Sequence, residues 1–223
     1  MTSARRYFDW QFRLAEGQIG KRVLEVGCGL GNFTRLLLDR ELVVAIDTEP
    51  ECIAKLHQSY GDRKNLLALQ MDVLDPAFLQ FERCGLDSIV CLNVLEHVRD
   101  DRHALRQMHT VLKEGGKAVL IVPAFESLYG PIDRNLGHYR RYSKQSMTAA
   151  AESAGFAPVM LRYLNSIGFL GWWWNAKVLK KQRQSPLQIG VFDRCIVPVM
   201  SRLEDRIEPP FGQSIFVVLI KMK

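Results

Sequence analysis

Residues 23–32 read VLEVGCGLGN, an apolar run typical of a buried strand that passes into a glycine-rich bend. Glycine is favoured where the backbone takes a positive φ or where a ligand approaches the backbone closely. The spacing is G-x-G-x-G, and Asn32 stands where the dinucleotide-binding fingerprint has its last glycine. The bend therefore predicts a ligand site at the end of a strand, and its spacing argues against NAD and FAD.

Outward from this bend, short apolar runs alternate with amphipathic segments. This alternation is typical of parallel strands that are covered by helices on both faces. The predicted strands are residues 22–26, 42–46, 65–70, 87–92 and 117–122, and the predicted helices between them are residues 32–39, 50–60 and 101–112. Right-handed crossovers between parallel strands leave few topologies other than a doubly wound α/β sheet.

Beyond residue 123 the pattern changes. Residues 123–143 are rich in Tyr, Gly, Arg and His, and we interpret them as a lid loop over a binding site. A helix over residues 144–154 and a strand over 157–163 follow, and the last predicted strand covers 214–220. The link between these two strands is far longer than the usual connection of about 4 to 6 residues. It predicts a helical insertion over residues 164–212, within a single domain that spans residues 1–223.

Charge and cysteine content restrict the class of protein. The formal net charge is +6, but the positive residues gather late in the chain, at Arg140, Arg141, Lys177, Lys180, Lys181 and Arg183. Without basic residues interleaved with aromatics in the first half, this pattern does not favour nucleic acid as a partner. The five cysteines are scattered and form no C-x-x-C pair, which argues against disulfides and a zinc cage. With no apolar signal segment at the N-terminus, the sequence predicts a cytoplasmic protein.

Acidic residues follow the second and third predicted strands, and one lies inside the first. The carboxylate of Asp47 can accept hydrogen bonds from both hydroxyls of a ribose, although it can also cap the helix that begins at residue 50. Asp72 can accept from an adenine amino group while Val73 packs against the ring. Glu25 lies within an apolar strand, where a carboxylate needs a partner such as a ligand ammonium. Together they predict an adenosine-type site at the carboxyl edge of the sheet.

With these motifs in this order, the sequence resembles the class I S-adenosylmethionine methyltransferases, in particular the small "methyltransferase type 11" group. The matching blocks are VLEVGCGLGNFT, VVAIDTEP, MDVLD, DSIVCLNVLEHVRDD and LKEGGKAVLIVP, which cover residues 22–123. The resemblance implies a Rossmann-like sheet of seven strands in the order 3-2-1-4-5-7-6, with the last strand antiparallel and helices on both faces. It also implies S-adenosyl-L-methionine as cofactor and S-adenosyl-L-homocysteine as product.

The resemblance implies a set of cofactor contacts. It places the backbone of Gly27, Gly29 and Gly31 under the methionine part of the cofactor. The other predicted cofactor residues are Tyr7, Trp10, Glu25, Cys28, Asp47, Thr48, Asp72, Val73 and Asn93. Tyr7 and Trp10 look like residues of an N-terminal helix that closes over the cofactor, but simple aromatic packing would explain them equally well.

Two histidines are candidate catalytic bases. A hydroxyl acceptor loses its proton on methylation, and an unperturbed imidazole titrates near neutral pH. His138 lies in the lid loop, where it either meets the acceptor or stays solvated beside two arginines. His97 belongs to a Glu-His pair that recurs in enzymes with different acceptors, so a structural or cofactor-side role competes with catalysis. Some quinone O-methyltransferases bind a divalent metal here, but Asn93 stands where a further acid is wanted, so no metal is predicted.

The acceptor is predicted to be a small molecule, hydrophobic or lipid-linked. Its predicted contacts are Tyr139, Arg140, Arg141, Tyr142 and Trp173. The two arginines suit a carboxylate or phosphate, or they keep the loop soluble. The tryptophans at 172–174 suit a greasy acceptor.

The insertion and the acceptor leave alternatives open. The 164–212 insertion can meet a membrane surface, cover the acceptor pocket or form a homodimer contact. The alternatives to a small acceptor are a protein or RNA methyltransferase, a subunit that binds the cofactor without turnover, and a Rossmann oxidoreductase.

Overall fold

The computed structural model describes residues 4–174 and 186–222. Its strands are β1 (Arg22–Val26), β2 (Leu42–Asp47), β3 (Leu66–Gln70), β4 (Leu86–Leu92), β5 (Leu112–Pro123), β6 (Phe156–Leu164) and β7 (Ser214–Lys221). They form one seven-stranded sheet in the order β3-β2-β1-β4-β5-β7-β6. β7 runs antiparallel to both β5 and β6, and the other pairings are parallel. The strand order and the antiparallel last strand confirm the prediction.

The register places the ends of the central strands side by side. Val26 at the end of β1 pairs with Ile46 of β2 and with Cys91 of β4. Each of these strands is hydrophobic on both faces, as expected for parallel strands covered on both sides. The loops that follow β1, β2 and β4 therefore leave the sheet next to one another.

Helices cover both faces of the sheet. They are α1 (Arg5–Ala15), α2 (Pro50–Tyr60), α3 (Asp101–Val111), α4 (Pro131–Asn135), α5 (Lys144–Ser153), α6 (Ser166–Trp173), α7 (Pro186–Val191) and α8 (Val197–Glu204). Side chains alternate between faces along a strand. Leu24 accordingly joins one buried cluster with Leu105 of α3, while Val23 joins another with Trp10 of α1. The expected arrangement of helices on both faces is confirmed.

One predicted helix and the start of one predicted strand were wrong. The helix predicted over residues 32–39 is only a 3₁₀ helix at Thr34–Leu36, in which Leu37 N–H donates to the carbonyl of Thr34 at 2.9 Å. Asn, Phe and Thr, which open this segment, have low helix propensity, so the tighter turn prevails. β5 begins at Leu112 rather than at residue 117, because Leu112 already pairs with Leu86 of β4.

Helices lie between the last two strands, as the sequence predicts for residues 164–212. They are α6, α7, a π-helical turn at Phe192–Ile196, and α8. The predicted basic residues Lys177, Lys180, Lys181 and Arg183 lie outside the described residues. Within the described ranges, no helix is both long enough and apolar enough to cross a bilayer.

The insertion is fastened to the N-terminal helix. The buried carboxylate of Asp193 accepts hydrogen bonds from the backbone N–H of Arg6 at 3.3 Å and of Tyr7 at 2.9 Å. These are first-turn amides of α1, which have no partner within the helix. The indole N–H of Trp10 donates to Asp205 at 2.7 Å. α1 and the second half of the insertion therefore form one cap on this face of the sheet.

Candidate functional site at the carboxyl edge of the sheet

The chain leaves β1 through three glycines that all have positive φ, namely Gly27 at 76°, Gly29 at 51° and Gly31 at 79°. A Cβ on Gly27 would lie 2.3 Å from Cγ2 of Val94, so a larger residue does not fit there. A Cβ on Gly29 would meet no atom within 4 Å. The bend is therefore tightly packed at its start and borders open space at Gly29.

Asp47 ends β2 beside this bend. Its Oδ2 accepts from the N–H of Gly29 at 2.7 Å, and its Oδ1 accepts from the N–H of Glu49 at 3.0 Å. Each carboxylate oxygen keeps capacity for a further donor, so two ligand hydroxyls can still bind. The alternative role as a helix cap is not what the structure has, because the N-cap of α2 is Glu49 and no side chain caps it.

A cavity of about 510 Å³ opens at this edge, a size suited to a small-molecule ligand. Eight of the predicted site residues line it: Gly27, Asp47, Thr48, Asp72, Val73, Asn93, His97 and Tyr139. These residues come from the loops after β1 to β4 and from the lid loop. The structure thus brings the predicted ribose and adenine residues together with one predicted base and one predicted acceptor contact.

Glu25 lies in β1 directly before the bend. It is 3% exposed, and its Oε2 has no hydrogen-bond partner among the described residues. Burial raises the pKa of Glu25 to about 8, and the negative charge of Asp47 adds to this effect while a hydrogen bond with Thr34 opposes it. A buried carboxylate without a partner is costly unless a cation or donor joins it. The position fits the carboxylate that the sequence predicts for a ligand ammonium.

The loop after β4 carries Asn93, Glu96 and His97. Asn93 holds a positive φ of 55°, which asparagine tolerates better than most residues. Glu96 is buried, its Oε2 has no hydrogen-bond partner in the described part of the chain, and burial raises its pKa to about 8. His97 lines the cavity, and burial together with the nearby His138 lowers the pKa of His97.

A buried ion pair organises the lid loop. Asp133 is fully buried and accepts from Arg141 Nε at 2.8 Å and from the backbone N–H of Gly130 at 2.9 Å. Its Oδ1 also lies 3.0 Å from His138 Nδ1. Although burial opposes it, the hydrogen bonds from His138 and Arg141 lower the pKa of Asp133. An ionised carboxylate only accepts, so Nδ1 of His138 donates to Asp133.

The two predicted bases lie against each other. The rings of His97 and His138 meet edge to face, with centroids 4.6 Å apart. His138 does not line the cavity, whereas His97 does. Ligating atoms of Glu96, His97 and His138 all lie within 4.8 Å of one another, an arrangement that can hold a metal ion. The sequence did not predict that His138 joins Glu96 and His97 in such a group. The expectation that the protein binds no metal stays a prediction.

Most predicted acceptor contacts are engaged within the protein. Arg140 pairs with Asp101 at 2.7 Å, and the hydroxyl of Tyr142 donates to the same carboxylate at 2.8 Å. Arg141 is buried and its guanidinium lies 4.6 Å from the ring centre of Trp172. Neither arginine is therefore free for a substrate anion in this conformation.

Tyr139 and Trp173 differ from the other predicted acceptor contacts. Tyr139 is exposed and lines the cavity. Trp173 is exposed on α6 and does not line it.

Six predicted cofactor residues lie outside the cavity lining, and Glu25 of β1, described above, is one of them. Trp10 is fully buried in the cluster under α1, and Tyr7 packs beside it with its hydroxyl 3.4 Å from Asn165 Nδ2. The side chain of Cys28 packs in a cluster with Ile53 and Leu56 of α2. Gly29 and Gly31 also lie outside the lining, so their cofactor roles stay predictions.

Two positioning residues were missed. Gln107 of α3 is buried and its Nε2 donates to the carbonyls of Val73 and Asp75, each at 3.1 Å, so it holds the loop after β3. A polar residue within the apolar stripe of α3 was a signal that could have revealed it. Asp133 gave no such signal, because its partners come together only in the folded lid loop.

A family model and a curated relative match this chain in sequence. Residues 3–161 match the family model of a methyltransferase domain. The ubiquinone biosynthesis O-methyltransferase of Pseudomonas aeruginosa (strain LESB58) is 35% identical over 111 residues, which cover 47% of this chain and 45% of that protein. The match to this curated relative therefore spans about half its length.

Solved structures share the fold over nearly the whole chain. The N-methyltransferase NodS from Bradyrhizobium japonicum WM9, in complex with S-adenosyl-L-homocysteine, has a TM-score of 0.62 at 18% identity and covers 98% of this chain and 87% of that one. The [4+2]-cyclase SpnF has a TM-score of 0.64 at 16% identity and covers 98% of this chain and 80% of that one. At such identities the likeness concerns the fold alone.

Proposed function

Because the chain belongs to the family of S-adenosylmethionine-dependent methyltransferases, we propose that it methylates a small-molecule acceptor that is hydrophobic or lipid-linked. One observation carries the cofactor side of this proposal. The bend borders open space at Gly29, and Glu25, whose buried Oε2 has no hydrogen-bond partner among the described residues, comes directly before the bend in β1. A ligand with an ammonium group satisfies that carboxylate, and a nicotinamide dinucleotide does not supply one.

The cavity lining supports a proposed set of cofactor contacts. Asp47 takes the ribose hydroxyls, Asp72 and Val73 take the adenine, and the glycine bend takes the methionine part, with Thr48 and Asn93 as further contacts. When bound, S-adenosylmethionine supplies a methyl group that is already activated as a sulfonium. The remaining work of the protein is to orient the acceptor and exclude water, which accounts for much of the acceleration in such reactions.

An oxygen acceptor receives support from the relatives named ubiquinone biosynthesis O-methyltransferase. In that case the hydroxyl proton passes to one imidazole of the contacting pair formed by His97 and His138. Asp133 orients the imidazole of His138, and His97 stands at the cavity wall with a lowered pKa that keeps it neutral near pH 7. Tyr139 contacts the acceptor from the lid loop, while Arg140, Arg141 and Tyr142 hold that loop in place.

The proposal places the enzyme in the cytoplasm, where its acceptor reaches it from a membrane. The five cysteines form no disulfide, as suits a reducing compartment. The exposed Trp173 and Trp174 of the insertion suit the headgroup region of a bilayer. A homodimer through the insertion is the competing use of the same surface.

Isothermal titration with S-adenosyl-L-homocysteine and with NADH tests the cofactor. We expect binding of the first and none of the second, and Asp47→Ala should weaken binding by about 100-fold because two hydrogen bonds to a charged group are lost. Asp62→Ala, an exposed acid away from the cavity, is the matched control. NADH binding, or an Asp47→Ala variant with unchanged affinity, would contradict the proposal.

The acceptor is tested by methylation assays with radiolabelled cofactor. Hydroxylated prenyl aromatics, RNA and a protein extract are offered in parallel, and we expect label only in the lipid-soluble product. His138→Gln should lower that turnover by about 100-fold and leave cofactor affinity unchanged. Label in RNA or protein instead would overturn the choice of acceptor class.

A further inference from the structure

The α7–α8 segment carries a stripe of exposed apolar side chains. Positions four apart along it are Leu187, Val191, Cys195, Val199, Leu203 and Ile207, and all six are exposed. Leu187 is 77% and Ile207 is 72% exposed, values that are unusual for large apolar residues. Residues four apart are neighbours on an α-helix surface, so Leu187 and Val191 lie together on α7, and Val199 and Leu203 lie together on α8. No other described part of the chain covers it.

The acidic side chains of this segment are all engaged. Asp193 caps α1, and Glu204 accepts from the backbone N–H of Asn165 at 2.8 Å and of Ser166 at 2.9 Å. Asp205 accepts from Trp10, and Glu208 pairs with Lys144 at 2.6 Å. The negative charge of the segment is therefore used in contacts with the rest of the protein.

The arginines of the segment, unlike its engaged acidic side chains, have no ion-pair partner among the described residues. Arg194, Arg202 and Arg206 are exposed, and none forms an ion pair with any residue in the described ranges. Two of them, Arg202 and Arg206, lie one position before Leu203 and Ile207 of the stripe. The outward face thus combines exposed apolar groups with unpaired positive charge.

We propose that the face formed by residues 187–207 binds the surface of an anionic phospholipid bilayer. Apolar side chains flanked by unpaired arginines match the acyl boundary and the phosphates of such a membrane. A second copy of the chain fits less well, because a two-fold contact would bring the same unpaired arginines towards one another. Nucleic acid would use the arginines and leave the apolar stripe exposed.

This inference rests on the proposed function, because binding to a bilayer serves to deliver a lipid-soluble acceptor to the cavity. The observations that carry it lie in the α7–α8 segment. The segment is fastened to α1 by Asp193 and Asp205, so bilayer contact would position the cap of the enzyme as one body.

Vesicle co-sedimentation of the full chain tests the proposal. Vesicles of pure phosphatidylcholine are compared with vesicles of phosphatidylcholine and phosphatidylglycerol in equal parts. We expect binding to the mixed vesicles, weakening with salt. The double variant Arg202→Glu with Arg206→Glu should weaken it by about tenfold or more. The matched control is Arg102→Glu with Arg106→Glu, two exposed arginines at the same spacing on α3.

A second pair of variants tests the apolar stripe. Leu203→Glu should lose binding, while Val159→Glu on β6 should keep it, although both residues are 59% exposed in the wild type. S-adenosyl-L-homocysteine affinity, measured on every variant, shows that each is folded.

Three outcomes would overturn the bilayer proposal. They are no binding of the wild type to mixed vesicles, equal loss in the control variants, and a solution dimer that Leu203→Glu dissociates while vesicles are ignored. A wild type that sediments with vesicles but binds no S-adenosyl-L-homocysteine would overturn the proposed function instead.

Discussion

The two sides of the cavity are built in different ways. On the cofactor side, Gly29 and Asp47 lie within a few residues of a strand end and bind each other directly. On the acceptor side, Asp133 and Arg141 pair within the lid loop, away from any strand end, and meet Trp172 of α6 only through tertiary packing. One side is therefore a local property of the chain near the sheet, and the other depends on a buried ion pair in the lid loop. Substitutions on the two sides should have separable effects.

The largest effect is expected from Asp133→Asn on the acceptor side. The substitution leaves the buried guanidinium of Arg141 without its counter-charge, which should lower the free energy of unfolding by about 3 to 5 kcal/mol. Urea denaturation measures this loss. Glu41→Gln is the control, because Glu41 pairs with Arg22 at the same 2.8 Å but near the surface, where such a pair contributes about 1 kcal/mol or less.

The double variant Asp133→Asn with Arg141→Met separates charge from packing. Removing both charges should recover part of the stability, since no charge then stays buried alone. An Asp133→Asn protein that loses no more stability than Glu41→Gln would break the comparison. So would a folded Asp133→Asn protein whose cofactor affinity collapses, because the two sides would then not be separable.

A smaller effect is expected from Gly29→Ala on the cofactor side. Alanine at the positive φ of Gly29 costs about 1 to 2 kcal/mol of stability, and its Cβ enters the open space next to the bend. We expect a further loss of about 2 kcal/mol in S-adenosyl-L-homocysteine affinity, near 30-fold, measured by titration. Gly115→Ala is the control, because Gly115 also has a positive φ and also faces open space. Equal affinity in the two variants would refute the cofactor path over Gly29.

The difference between the two sides explains what the sequence could predict. The alternation of strands and helices, the glycine bend and the strand-end acids Asp47 and Asp72 follow from local patterns, and the structure places both acids at one cavity. The strand order was implied by the family resemblance, and the structure confirms it. Strand periodicity and glycine spacing act over about ten residues, so a single sequence carries them completely.

The contacts on the acceptor side cannot be predicted from such local patterns. Arg141 was predicted to hold a substrate anion, yet it is buried against Asp133 and Trp172, two partners that no spacing indicated. The helix over residues 32–39 failed for a related reason, because apolar periodicity does not distinguish an α-helix from a tighter 3₁₀ turn. Where tertiary packing determines the conformation or the partner of a residue, the local sequence is compatible with several structures.

The smallest effect, expressed per pH unit, is a slope in stability that distinguishes Glu25 on the cofactor side from Glu96 on the acceptor side. Burial raises the pKa of each to about 8, above the value near 4.5 expected in the unfolded chain. The folded state therefore binds these protons more tightly, so stability is lost as pH rises from about 5 to about 8. Each group contributes at most about 1.4 kcal/mol per pH unit.

Glu25→Gln and Glu96→Gln should each remove part of the slope in urea denaturation series. Saturating S-adenosyl-L-homocysteine should remove the part due to Glu25 alone, because its ammonium stabilises the ionised carboxylate. A ligand that flattens the slope equally in wild type and in Glu25→Gln would show that the cofactor does not bind at Glu25.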